Sequence, residues 1–169
     1  MAETRIGVIS DTHFPRRGGG VLPARCREVL AGCDLVVHAG DLCDMDALRA
    51  VRSLGPPVLA VHGNADDARV RALLPPTETF DRHGVRTVVV HDAGPAAGRL
   101  ARLRRRFPDA RVVIFGHSHI PLAEEAPDLL ILNPGSPTDR RRQPHHTMAV
   151  LTLADGRPPR WEHLVVDPA

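Results

Sequence analysis

The chain has 169 residues, 43% of them hydrophobic and 25% charged, with a formal net charge of +2. That composition excludes a disordered, collagen-like or disulfide-dense chain, and the length suits a single domain over 1–169 at roughly 100–200 residues per domain. No apolar run approaches the ~20 residues of a membrane-spanning helix, and no basic stretch leads into a long apolar segment as in a signal peptide; no membrane is expected and the compartment expected is the cytoplasm.

In chain order, Arg5–Ile9 is a short apolar run that reads as a buried strand. Pro23–Ala31 reads as a helix stopped by Gly32, and Leu35–His38 as a second strand. Asp44–Leu54 opens on carboxylates, as a helix N-terminus favours, and halts at Gly55-Pro56. Val58–Val61 and Val85–Val90 follow as strands. Ala96–Phe107 sets Leu100, Leu103 and Phe107 on one helical face and its arginines on others. Val112–Phe115, Leu122–Glu125, Leu129–Leu132, Met148–Leu153 and Trp161–Val166 complete the strands. The first half, strand–helix–strand–helix–strand, predicts parallel βαβ units. Pro134–Pro144 is a long loop of the kind that carries function.

Every basic residue is Arg, and none is Lys, which reads as genome habit rather than function. Cys26, Cys33 and Cys43 form no C-x-x-C pair and suit a reducing compartment. A net charge of +2 with 3% aromatics argues against nucleic acid as partner. The run Arg99–Arg106 reads as the solvated face of its helix.

Residues of metal-ligand type recur just past the apolar runs: Asp11-Thr12-His13, Gly40-Asp41, Gly63-Asn64-Ala65-Asp66, His91, and Gly116-His117-Ser118-His119. In an α/β sheet, ligands gather outside the carboxyl ends of the strands. Residues at i and i+2 of an extended chain point the same way, so Asp11 with His13, and His117 with His119, are expected to aim at one point. Seven donors (Asp11, His13, Asp41, Asn64, His91, His117 and His119) exceed the needs of one tetrahedral ion and suit two ions sharing a carboxylate. The mixed nitrogen and oxygen set fits Mn, Fe, Zn, Co or Ni. Two divalent cations, two aspartates and a hydroxide leave +1, which favours a phosphodiester anion. His38 and His62 read as hydrogen-bonded strand histidines, and His83, His145, His146 and His163 as surface or loop residues.

The series D-x-H, G-D, G-N-x-D, H and G-H-x-H resembles the calcineurin-like metallophosphoesterases, and the turn Asn133-Pro134-Gly135-Ser136 resembles their small single-domain prokaryotic phosphodiesterase branch. The resemblance spans Ile6 to Val150. It implies a four-layer α/β/β/α sandwich of two mixed sheets flanked by helices. It also implies one ion on Asp11, His13 and His119, another on Asn64, His91 and His117, and Asp41 between them. A metal-bridging water or hydroxide would be the nucleophile. Manganese is the first expectation for the cofactor. Larger relatives place a His after the Asn of G-N, which helps protonate the leaving group; Ala65 stands there, so substrates with good leaving groups are expected. Asp66 is expected to orient a ligand His by hydrogen bond, or to cap the segment after it. Arg140, first of three arginines in the long loop, is expected to grip a phosphate. The function expected is hydrolysis of small phosphodiesters. The alternatives are a monoesterase or nuclease using the same site, or a protein-binding scaffold of the same fold, as one retromer subunit is. A homo-oligomer is a further expectation from the resemblance.

Overall fold

In a computed structural model describing residues 2–14 and 20–168, the strands build two five-stranded sheets. The first joins β1 (Glu3–Ile9), β2 (Leu35–His38), β3 (Val58–Ala60), β9 (Thr147–Ala154) and β10 (Arg160–Val165) in the order β10-β9-β1-β2-β3. The second joins β4 (Thr77–Arg82), β5 (Val85–Val90), β6 (Val112–Ile114), β7 (Leu122–Ala126) and β8 (Leu129–Asn133) in the order β4-β5-β6-β8-β7. Both are mixed. The trios β1-β2-β3 and β5-β6-β8 run parallel, and the remaining pairings are antiparallel. Parallel strands with both faces covered need apolar residues throughout, which is why these segments stand out as unbroken runs.

Three apolar clusters define four layers. Ile6, Val8, Val37 and Leu151 of the first sheet meet Val89, Ile114, Leu130 and Leu132 of the second in the central core. On the outer face of the first sheet, Ile9, Val36 and Met148 pack on α1 (Ala24–Ala31) through Cys26 and Leu30, on α2 (Met45–Arg52) through Leu48 and Val51, and on Val70 of α3 (Ala68–Leu73). On the outer face of the second, Val88, Val113, Phe115 and Ile131 pack on Leu103 of α4 (Arg99–Arg106). The expected α/β/β/α sandwich is the fold.

Element boundaries differ from expectation where local chemistry intervenes. Asp44 is the N-cap of α2 rather than its first residue; its carboxylate accepts from Ala47 N at 2.9 Å. The helix expected from Ala96 begins only at Arg99, because Gly98 takes a left-handed φ of 67°. Helix α3 and strand β4 are additions to the expected elements. Among the described residues, no helix is long and apolar enough to cross a membrane. The three cysteines are buried and form no disulfide among the described residues.

Candidate metal centre

Parallel strands that stop at the same level leave their following loops side by side. The loops after β1, β2 and β3 present Asp11, His13, Asp41 and Asn64 from the first sheet. The loops after β5 and β6 present His91, His117 and His119 from the second. The seven expected donors therefore meet at the seam between the sheets. The loops are stitched by Asp11 N to Gly40 O at 2.9 Å and His13 N to Asp41 O at 3.0 Å.

The way the pairs converge corrects the extended-chain expectation. Asp11 (φ 57°), His13 (49°), Asp41 (61°), His117 (68°) and His119 (60°) all lie in the left-handed region. That region is uncommon for non-glycine residues. The chain coils at each strand end, and this coiling, not strand alternation, brings i and i+2 together.

Two groups of donors result. His13 Nε2 lies 3.2 Å from His119 Nε2, which lies 3.4 Å from Asp11 Oδ1. Asn64 Oδ1 lies 3.0 Å from His91 Nε2 and 2.9 Å from His117 Nδ1. Asp41 Oδ2 stands between the groups, 3.6 Å from His13 Nε2 and 3.3 Å from His91 Nε2. One ligand atom each from Asp11, His13 and His119, and likewise from Asp11, Asp41 and His91, falls within 4.8 Å of the others.

The donor chemistry fits a cation. His119 Nδ1–H donates to the Asp139 carbonyl, which leaves Nε2 as a bare lone pair aimed at His13 and Asp11. His91 Nδ1–H donates to Ala39 O at 2.8 Å, which turns Nε2 inward in the same way. Such carbonyl contacts fix the tautomer of metal-binding imidazoles. Each aspartate divides its oxygens. Asp11 Oδ2 accepts from Ser10 Oγ at 2.6 Å and His117 N at 2.9 Å, while Oδ1 is buried without a hydrogen-bond partner among the described residues. Asp41 Oδ1 accepts from Ala65 N at 2.7 Å and leaves Oδ2 to the centre. An orphaned buried carboxylate oxygen beside inward imidazole nitrogens is a costly arrangement that a metal ion relieves.

The titration behaviour of the donor set follows its burial. Burial pushes Asp11 up to about 7 against the pull of His91 and the Ser10 bond. Burial lowers His13, and takes His119 down to about 4. For Asp41 burial also acts upward, but the hydrogen bond and charge of His91 outweigh it and hold the group at about 2. Burial works against protonated His91, yet the bond to Asp41 and the charges of Asp11 and Asp41 raise it to about 9. Ligands must shed protons to bind a metal. Metal loading at pH 8 is therefore expected to release about one proton per protein from the ligands, chiefly from His91, in addition to any from metal-bound water, and that ligand share vanishes by about pH 10. Calorimetry in buffers of differing ionisation enthalpy measures that number.

Asp66 does neither of the things expected of it. Its carboxylate accepts three backbone amides: Gly63 N at 2.6 Å, Cys43 N at 2.7 Å and Asp41 N at 3.1 Å. It touches no ligand imidazole, and Asp67 is the residue that caps α3, accepting from Val70 N at 2.9 Å. A carboxylate gathers several amides better than any neutral side chain, so Asp66 ties the loop after β2 to the loop after β3. The Asn133–Ser136 turn has a similar part. Asn133 Nδ2 donates to Gly116 O at 2.9 Å, and Ser136 Oγ donates to Asp11 O at 2.8 Å.

Arg140 lies in a recess of about 430 Å³ with Ser118, Ile120, Arg141, Arg142 and Gln143, and its Nη1 donates to Gln143 O at 2.6 Å. Arg141, not Arg140, is the arginine whose charge helps lower His13 and His119. A second cleft, of about 370 Å³, opens beside Asn64, His91 and His117. His62 lines that cleft, and its buried Nδ1 lacks a hydrogen-bond partner among the described residues, unlike the expected bonded histidine. His163 is half-buried rather than a loose surface residue, and its Nε2 donates to Asn133 O at 2.8 Å.

His38 is fully buried behind the centre. Its Nδ1 accepts from Gly40 N at 3.2 Å, so Nε2–H donates to Thr12 Oγ1 at 3.1 Å. Burial lowers it to about 3. The unfolded imidazole takes up a proton near pH 6.5 and the folded one does not. Stability is therefore lost as pH falls from about 6.5 to about 3, at about 1.4 kcal/mol per pH unit from this group. His38→Asn is expected to remove that slope, read as a smaller difference in denaturation midpoint between pH 7 and pH 5 than wild type shows.

A family model described as the calcineurin-like phosphoesterase superfamily domain matches residues 4–156. The chain is 37% identical over 136 residues to a "Probable metallophosphoesterase" of Methanocaldococcus jannaschii, covering 79% of this chain and 68% of the relative. It is 24% identical over 144 residues to a protein named "Phosphodiesterase" from the same organism, covering 78% and 82% of the two chains. Among solved structures, Vacuolar Protein Sorting 29 of Cryptosporidium parvum superposes with a TM-score of 0.77 at 20% identity, over 96% of this chain and 98% of that one.

Proposed function

Because this chain belongs to the calcineurin-like phosphoesterase superfamily, we propose that it is a phosphodiesterase for small phosphate esters, with two divalent ions at the seam of its sheets. Asp11, His13 and His119 hold one ion, Asn64, His91 and His117 the other, and Asp41 serves both. The observation that carries this reading is the position of Asp41 Oδ2 between the two donor groups, 3.6 Å from one and 3.3 Å from the other. Bound there, two ions supply an activated water and positive charge for the phosphoryl oxygens. Manganese is the first choice, with Fe, Zn, Co and Ni as alternatives.

The chain's own groups do the rest. Asp11 and Asp41 bring only two negative charges, so a loaded site keeps a positive surplus that draws in a phosphodiester anion. Asp66 and the Asn133–Ser136 turn hold the ligand loops in register. Ala65, where larger relatives offer a proton donor, leaves the departing oxygen to carry its own charge, which favours substrates with acidic leaving groups. Arg140 and Arg141 place positive charge in the recess beside His119. The chain works as one catalytic domain over 1–169, in the cytoplasm.

The test compares turnover of an aryl phosphodiester, the matching aryl monoester and an oligonucleotide by manganese-loaded protein, with metal content by elemental analysis. Two equivalents of metal and fastest diester turnover are expected. Faster monoester or oligonucleotide turnover assigns the site to a phosphatase or nuclease. Substoichiometric metal without turnover overturns the reading in favour of a scaffold.

A further inference from the structure

The cleft of about 370 Å³ shares Asn64, His91 and His117 with the metal centre, so a phosphoester seated on the centre would have this cleft beside it. Its far wall is basic. Arg71, on α3, lines the cleft with its guanidinium anchored by Nε to Asp66 O at 2.9 Å and by Nη2 to Asn64 O at 2.7 Å. Those bonds occupy Nε and Nη2 and leave Nη1 without a hydrogen-bond partner among the described residues. Arg106, at the end of α4, also lines the cleft, with its guanidinium carbon 4.9 Å over the Phe107 ring. Neither arginine has a carboxylate partner among the described residues. The one acidic side chain in the lining, Asp92, is occupied in part by Gly94 N at 2.7 Å. The arginines thus outnumber the carboxylate, and one of them is held rigid by the same loop that offers Asn64. Fixed, unpaired guanidinium groups are the protein's usual means of binding phosphate.

We propose that this cleft selects phosphodiesters whose retained arm ends in a second phosphate, with Arg71 and Arg106 receiving that terminal group while the ester phosphate occupies the metal centre. The inference rests on the phosphodiesterase reading for the reaction but not for the binding. It assigns specificity to two residues outside the metal-ligand set, on a helix and at a helix end.

Two measurements separate the inference from the function it rests on. Calorimetry compares thymidine 3′,5′-bisphosphate with thymidine 5′-monophosphate, on metal-free and on manganese-loaded protein. The bisphosphate is expected to bind about tenfold more tightly, as one added charge-assisted pair implies. That ratio should fall toward one in Arg106→Gln, recover in part in Arg106→Lys, and fall also in Arg71→Gln, with circular dichroism confirming each fold. Kinetics compares thymidine 5′-p-nitrophenyl phosphate with its 3′-phosphorylated form. The phosphorylated substrate is expected to show about tenfold lower KM at similar kcat, and Arg106→Gln to erase the difference. Equal binding of the two nucleotides overturns the proposal whether or not diesters are hydrolysed. A preference in binding without turnover of either diester upholds the cleft and overturns the phosphodiesterase reading. Tighter binding of a ten-residue thymidine oligonucleotide than of the bisphosphate overturns the terminal-phosphate assignment in favour of a chain of phosphodiesters.

Discussion

Replacing Asp41 with asparagine is expected to lower kcat on an aryl phosphodiester by at least about 10³-fold, beyond the loss of a single stabilising donor, and to bring bound metal below one equivalent. The substitution keeps the side chain's volume but not its two acceptors. If the amide oxygen goes on accepting from Ala65 N, the amide nitrogen replaces Oδ2 and points hydrogens at the centre. If the amide turns over, its nitrogen opposes the Ala65 amide instead. The first orientation removes the shared ligand; the second leaves only a neutral amide oxygen there, so the charged link between the two donor groups is lost in both. Because Asp41 sits beside His91, the variant also removes the contact that holds His91 near 9, and that imidazole should titrate lower. Steady-state kinetics with elemental analysis checks the first effect, and nuclear magnetic resonance titration of His91 the second. Wild-type turnover at full metal occupancy would exclude Asp41 from the centre.

Gly63→Ala is the second large effect, and it reaches the same carboxylate through the backbone. A Cβ on Gly63 would stand 2.2 Å from Asp41 Oδ1 and 2.7 Å from Asp41 N. Asp41 N is backbone and Oδ1 ends a short side chain held by Ala65 N, so relief requires the loops after β2 and β3 to separate. Separation breaks the bond from Gly63 N to Asp66 and the one from Ala65 N to Asp41 together. Overpacking with two lost buried hydrogen bonds costs roughly 3 kcal/mol, a fall of about 6–12 °C in melting temperature for a chain of this size. Metal affinity should drop at least about tenfold as well, as for other changes that disorient ligands. Gly84→Asn is the matching control. Gly84 has φ +72°, with nothing within 4 Å of a built Cβ, and asparagine tolerates that conformation. Its melting temperature should stay within about 2 °C of wild type.

The sequence made much of this legible, for physical reasons that differ by element. Strands such as β2, β6 and β8 are buried on both faces, and burial on both faces shows itself as an unbroken apolar run. Strand β4 escaped because it lies at a sheet edge and buries only Phe80 among Thr77, Glu78, Thr79, Asp81 and Arg82. Helix α3 escaped because six residues with one buried side chain, Val70, carry no helical period. The seven donors were legible because chemistry placed just past a strand has few other uses. Their backbone conformation was not, since neither aspartate nor histidine announces a left-handed turn. Asp66 was misassigned because its spacing from Asn64 is the same whether the carboxylate meets an imidazole or three amides. Order along a loop likewise says nothing about which of Arg140, Arg141 and Arg142 turns to a ligand, and all three line one recess.

Five non-glycine residues in left-handed conformation at one seam make the donor geometry a store of backbone strain. Such positions cost residues with a Cβ of order 1–3 kcal/mol each, and Asp11, His13, Asp41, His117 and His119 all occupy them. The convergence of these side chains is therefore held by the sheets and loops around them, against the preference of each residue alone.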